Sequence, residues 1–224
     1  MTLQLDLNPN KLKPGIVTTW PNSGAFGGSF LSTGAGNTRP ICYKEGANNI
    51  NNIVQSNGVD QYLPSTIQSF DVIANNAFTV MAVAYIESIT FNNANKYDND
   101  GVIVGLNEFW GMHLSNVPEL TAFVFSGGVA YYANVTPLLR TWTLLQIRFS
   151  GGNLYARAGS TAESGATAVP GNVQANGALR VFRNYNTSYS GLKLARLKVW
   201  NTGDADGALA TERAKLARIY AVAV

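Results

Sequence analysis

Apolar residues recur along this chain mostly at alternate positions, in short runs parted by Gly, Asn, Ser and Pro, a pattern that predicts many short antiparallel strands. The most informative stretch is residues 191–220. GLKLARLKVWN reads as one long strand in which Leu192 and Leu194 share a face and the apolar set then changes phase to Ala195, Leu197 and Val199. Side chains alternate faces with period two, so a one-residue bulge accounts for the change. After it comes an amphipathic helix, with Asp204 or Asp206 placed to cap it and Glu212 near its positive end. Arg218 lies near its negative end, and Leu209, Leu216, Ile219 and Tyr220 form its apolar stripe. Such a stripe needs a sheet to lie on.

Residues 1–15 alternate Leu3, Leu5 and Leu7 with polar neighbours and reach Pro9 and Pro14, which predicts an edge strand or an N-terminal arm free to dock on another subunit. Trp20 closes a short apolar strand and is assigned to the core. Asn57-Gly58, between Ile53 and Leu63, is a dipeptide of tight hairpin turns. FTVMAVAYIESI, from Phe78, is nearly continuous in its apolarity and predicts a central strand. GVIVGLN, FWGMHLS, LTAFVF and VAYYANV follow at the spacing of a meander. TWTLLQIRFSGGNLYARA predicts a hairpin about Gly151-Gly152, with Trp142, Leu144, Gln146 and Arg148 on its wetter face. Residues 159–178 read as a long loop around Pro170-Gly171. The expectation is one all-β domain over residues 1–224, an antiparallel two-sheet sandwich with one short C-terminal helix.

Charged residues make up only 13% of the chain, against about 25% in ordinary globular proteins, so Asn, Ser, Thr and Gly must carry its solubility. The net charge is +3, and eight of the sixteen basic residues fall after residue 179, where they face three acids. That bias fits a solvated strand edge and helix face better than a nucleic-acid surface, because no run of Lys or Arg accompanies it. Cys42 is the single cysteine, so no intrachain disulfide forms. No apolar run approaches the roughly 18 residues of a membrane span, and no cationic start precedes an apolar segment, so the expectation is a chain made and folded in the cytoplasm.

Candidate chemistry is sparse. Retaining glycoside hydrolysis needs two carboxyl groups about 5 to 5.5 Å apart, and no strand carries paired carboxylates at alternate positions. His113 has no cysteine, second histidine or serine–base arrangement near it and reads as structural. Asp98, Asn99 and Asp100 would offer oxygen ligands to calcium, but a turn held by Asx hydrogen bonds is the better reading, so the expectation is no cofactor, with Asp98 and Asp100 as the lesser alternative. Sugar recognition calls for exposed aromatic platforms. Tyr97, Trp110, Tyr131, Tyr132, Tyr185 and Tyr189 stand nearest the predicted turns, and Tyr185, Tyr189, Trp110 and Tyr97 are the candidates for a carbohydrate or partner site.

In order along the chain, TTWPNSG, SNGVDQYL, FTVMAVAYIES, RTWTLLQIRFSGGNLYARAG and SGLKLARLKVWN together resemble the concanavalin A-like lectin/glucanase superfamily in its laminin G-like branch. The resemblance implies a jelly roll of two antiparallel sheets. Arg196 stands where many relatives carry an acid, and the paired carboxylates of the glucanases have no counterpart here. The resulting expectation is a non-enzymatic virion component, a capsid decoration, cement or tail protein assembled in a host cytoplasm. Its partners would be other particle proteins and further copies of itself, in threefold symmetry if it decorates a capsid. The alternative is a soluble, cytoplasmic carbohydrate-binding lectin.

Overall fold

Short alternating runs broken by Gly and Asn turns form seventeen strands among the described residues, every strand pair antiparallel. The computed structural model describes residues 2–32, 39–45, 51–57, 61–68, 73, 76–87, 102–104, 110–114, 119–175, 177–182 and 192–224. In chain order the first strands are β1 (Leu3–Leu7), β2 (Gly15–Ile16), β3 (Thr19–Pro21), β4 (Ser29–Leu31), β5 (Ile41–Glu45), β6 (Asn51–Gln55), β7 (Leu63–Gln68) and β8 (Phe78–Ile86). A meander of β9 (Val102–Val104), β10 (Trp110–Leu114), β11 (Leu120–Ser126) and β12 (Val129–Val135) follows. The chain then makes β13 (Trp142–Ser150), β14 (Asn153–Ala158), β15 (Thr167–Ala168), β16 (Ala178–Val181), β17 (Leu192–Trp200) and the helix α1 (Asp206–Tyr220).

The large sheet runs β15-β14-β13-β8-β17-β6-β5-β2, with β1 also paired to β17. Two four-stranded sheets, β12-β11-β10-β9 and β16-β7-β4-β3, line the same core opposite it, and β16 lies next to β9. The result is an all-β, jelly-roll-like sandwich with one short C-terminal helix. β8 is central, as its continuous apolarity predicts, between β13 and β17.

Between the layers, Leu5, Leu7, Val54, Val80, Leu145, Ile147, Phe149, Leu194, Leu197 and Val199 of the large sheet meet Trp20, Phe30, Leu63, Trp110, Met112 and Val124. The bulge in β17 makes this possible. The register slips between Leu194 and Arg196, so Leu192, Leu194, Leu197 and Val199 all face the core while Ala195, the extra residue, turns outward. Ala195 therefore does not share a face with Leu197 and Val199, as its sequence position suggested.

On the outer face of the large sheet, Leu209 and Leu216 of α1, with Val222 beyond it, pack on Ile53, Met81, Val83, Leu144, Ala195 and Trp200. Full burial of each leucine contributes about 1.5–3 kcal/mol. The stripe is narrower than its pattern suggested, since Ile219 stays 45% exposed. Neither Asp204 nor Asp206 caps the helix: Ala205 holds the N-cap position without a side-chain bond. Asp206 instead binds Arg157 and Arg213, and Asp204 accepts from the Thr202 hydroxyl at 3.1 Å. Burial opposes ionisation of Asp206, yet Arg213 and Arg157 outweigh it and hold the carboxyl below the usual range.

The wetter face expected of β13 is roofed over. Gln146 and Arg148 are buried there, Arg148 paired with Glu163 and Gln146 accepting from Arg213 at 3.1 Å. Lys198, also buried, pairs with Glu212 of α1, and Arg196 with Asp6 of β1. Much of the basic C-terminal segment is thus spent inside the molecule, against acids supplied by other elements.

The N-terminal segment is no free arm. β1 pairs along Leu197–Trp200 of β17, and Leu5 and Leu7 are fully buried. Its other edge is sealed by residues 22–27, where the Asn22 amide oxygen accepts from the Asp6 and Gly24 backbone N–H groups and its NH2 donates to the Gln4 and Gly27 carbonyls. A Cβ on Gly24 would stand 2.3 Å from the Gln4 carbonyl oxygen, so only glycine lets this loop lie so close. The hairpin expected at Asn57-Gly58 would pair the strands on either side of it, but β6 pairs with β5 and β17 while β7 belongs to the opposite layer; Gly58 itself lies outside the described residues. The turn at Gly151-Gly152 forms as expected, both glycines at positive φ (56° and 72°).

Candidate functional site

Antiparallel register places one residue from each of six strands in a row across the outer face of the large sheet. Ile16 stands opposite Ile41, Ile41 opposite Gln55, Gln55 opposite Lys193, Lys193 opposite Tyr85, and Tyr85 opposite Trp142. At a strand spacing of about 4.8 Å the row is roughly 24 Å long. One step along the strands, Ile53, Val83 and Leu144 are covered by the α1 cluster, and the half-buried Trp142 packs against the edge of that cluster, so the row runs along the margin of the helix contact.

The row has an apolar end, an amide, a cation and an aromatic end. Ile16 and Ile41 are 54% and 49% exposed. The Lys193 ammonium lies 4.8 Å from the centroid of the Tyr85 ring, a cation–π distance, and 2.8 Å from Oε1 of Glu45. Tyr85 and Trp142 pack with ring centroids 5.7 Å apart at a 58° tilt. Burial alone would depress the Lys193 pKa, but hydrogen bonding to Glu45 and contact with Tyr43 raise it, so Lys193 is a fixed cation whose charge Glu45 cancels. The Tyr43 phenol is pushed up, first by burial and then by Glu45, so it stays protonated and donates to Oε1 of Gln55 at 2.6 Å.

At the amide section the row opens into a cleft of about 380 Å³ lined by Ile41, Tyr43, Gln55, Ser56, Asn57 and Gln61. The Ser56 hydroxyl donates to the Gln61 carbonyl at 3.1 Å, and the Gln61 side chain accepts from the Asn57 backbone at 2.9 Å, which fixes the rim. Aromatic and aliphatic walls with neutral amides and hydroxyls suit a neutral ligand that has both C–H faces and hydroxyl groups. General acid–base chemistry would need a titratable pair in the cleft, and among the described residues that line it there is no carboxylate.

Of the residues singled out from the sequence, Trp110 is corrected: it is fully buried in the core, its ring centroid 4.5 Å from that of Phe78, so it reaches no ligand. Tyr97, Tyr185 and Tyr189, with the calcium candidates Asp98 and Asp100, lie outside the described residues. Tyr131 packs against the core and Tyr132 is partly buried on β12. His113 is buried, and desolvation lowers its pKa to about 3. Cys42 is buried too, its thiol pushed up to about 11, which leaves it inert at neutral pH.

Sequence reasoning missed Tyr43, Tyr85, Gln55 and Lys193 as a group. They come together only through cross-strand register, and it takes the fold to show that Tyr85 is the single residue of β8 that is not buried.

No family model and no curated protein matches the sequence. The fold is similar to that of the binding domain of botulinum neurotoxin DC in complex with SialylT, at a TM-score of 0.65 and 10% identity over 96% of this chain and 51% of that one. It is also similar to the sialidase of Trypanosoma rangeli (TM-score 0.59, 11% identity, 92% of this chain and 31% of that one). A third likeness is domain 4 of AbnA, a GH43 extracellular arabinanase from Geobacillus stearothermophilus, in complex with arabinotriose (TM-score 0.59, 13% identity, 94% and 97%). The chain spans about half the length of the neurotoxin binding domain. At these identities the likeness is one of fold.

Proposed function

We propose that this chain is a non-enzymatic binding module of the concanavalin A-like, laminin G-like kind, and that its ligand is a neutral saccharide held on the outer-face row. The observation that carries this reading is the junction of the amide-lined cleft with the Lys193–Tyr85–Trp142 series, in which the one cation is already neutralised by Glu45. A sugar ring stacks its C–H face on Tyr85 or Trp142, and its hydroxyl groups exchange hydrogen bonds with Gln55, Asn57 and Gln61. The similar folds seen in complex with SialylT and with arabinotriose support a saccharide ligand. A non-catalytic role is supported by the ion pairs that occupy Asp6, Glu45, Glu163, Asp206 and Glu212.

The test is binding of neutral oligosaccharides, read by calorimetry, with Tyr85→Ala and Gln55→Ala beside the parent chain. Each variant is expected to weaken binding at least tenfold while the chain still unfolds in one sharp transition. Undiminished binding by both variants, or sugar release by the parent, would overturn the reading.

A structural role on a virion, through contacts with other particle proteins and with copies of this chain, is the second reading. It is supported by the low charge content and by apolar side chains left open at Ile16, Leu31, Val129 and Leu138. Sedimentation of the native protein with a large particle is its expected result, and a strictly free monomer in an infected host would reject it.

A further inference from the structure

On the opposite layer of the sandwich, the β10–β12 register sets His113 opposite Thr121 and Thr121 opposite Asn134. Met112, Ala122 and Ala133 turn toward the core, so these three polar residues share the other face of that sheet. His113 is 2% exposed and Thr121 0%. Both ring nitrogens of His113, the Thr121 hydroxyl and the Asn134 amide oxygen are buried with no hydrogen-bond partner among the described residues. The His113 ring is held in plane by Phe123, stacked at 5.0 Å and 20°.

Burying four polar atoms in a row without partners is costly, and natural folds almost never leave such a group unmatched. The set is also informative in its chemistry. Kept neutral by burial, the imidazole offers one donor and one acceptor, the threonine hydroxyl offers both, and the amide oxygen accepts. The set includes no carboxylate, which makes it poor for a hard cation, and it carries no charge to attract an ion. Hydroxyl groups, each donor and acceptor at once, match every member of the set.

We propose that His113, Thr121 and Asn134 form a binding site for hydroxyl groups, distinct from the outer-face row and independent of it. Water molecules and the hydroxyls of a polyol share that chemistry. The experiment uses the full chain. Thr121→Val keeps the shape and removes the hydroxyl, and is expected to lower the melting temperature by roughly 2–4 °C because it strips a partner from the bridge. In parallel, the His113 ring is observed by ¹H–¹⁵N correlation. A nuclear Overhauser contact from its ring protons to long-lived water identifies water as the occupant, whereas saturable ring shifts on titration with glycerol or glucose identify a polyol. An unchanged or raised melting temperature for Thr121→Val would overturn the proposal, since removing an unpartnered buried hydroxyl is a gain. So would a ring that shows neither signal, or a crystal structure in which protein groups bond all four atoms.

Discussion

Lys198 ends with its ammonium against Glu212 and near the Trp200 ring, its side chain only 6% exposed. Strand alternation alone puts Lys198 opposite in facing to Leu197 and therefore in water, and what overrides that is α1, which roofs the outer face. Lys198→Asp is accordingly expected to cost about 3–5 kcal/mol, since it sets two carboxylates together out of water. Leu197→Asp should cost as much, through the core. Urea denaturation of the two variants checks this, and a loss under 1 kcal/mol for Lys198→Asp would mean the helix does not cover it. His113 makes a second residue-scale prediction. Its folded pKa, about 3, lies below its ordinary value of 6.5, so the unfolded chain takes up the proton first. Stability is then full above about pH 6.5 and falls by about 1.4 kcal/mol for each pH unit below it. As this is the only histidine, denaturation at pH 5, 6 and 7 isolates it, and His113→Phe should flatten the slope. Single residues were the scale hardest to read from sequence: Trp110 and Trp142 look alike as letters in strands, yet one is core and the other lies on the open row, because facing depends on partners remote in sequence.

At the scale of elements, periodicity did most of the work. The terminal strand, its bulge, the central β8, the meander and the β13–β14 hairpin all follow from alternation and turn glycines, which are local signals. Two elements were misjudged where the deciding contact is distant. β1 reads as a spare edge, but Asp6 pairs with Arg196, 190 residues away, and the 22–27 loop closes its outer side. Asn57-Gly58 carries hairpin chemistry, yet β6 and β7, the strands that flank it, lie in different layers. The revised place of β1 reverses one expectation: removing residues 1–14 should not release a monomer from an oligomer but unfold the chain, because Leu5 and Leu7 leave a cavity in the core and β17 loses a neighbour. Thermal melting of the truncated chain with a sharp, native-like transition would contradict this.

For the whole molecule, the described elements share two apolar clusters, one between the layers and one beneath α1, joined through β6, β8, β13 and β17. On that basis we expect one cooperative unfolding transition, in which the helix and the sandwich melt together. The outer-face row has a consequence of its own. Its six residues come from six strands and run in sequence from Ile16 to Lys193, so no fragment and no unfolded chain can present them together. Occupancy and folding are therefore thermodynamically linked: a ligand that recognises the row must raise the melting temperature, by the equivalent of about 2.7 kcal/mol at a hundredfold excess over its Kd. Thermal-shift screening of saccharides thus doubles as a test of where they bind. Trp142→Ala should abolish the shift, and linear peptides copied from any one strand should fail to compete.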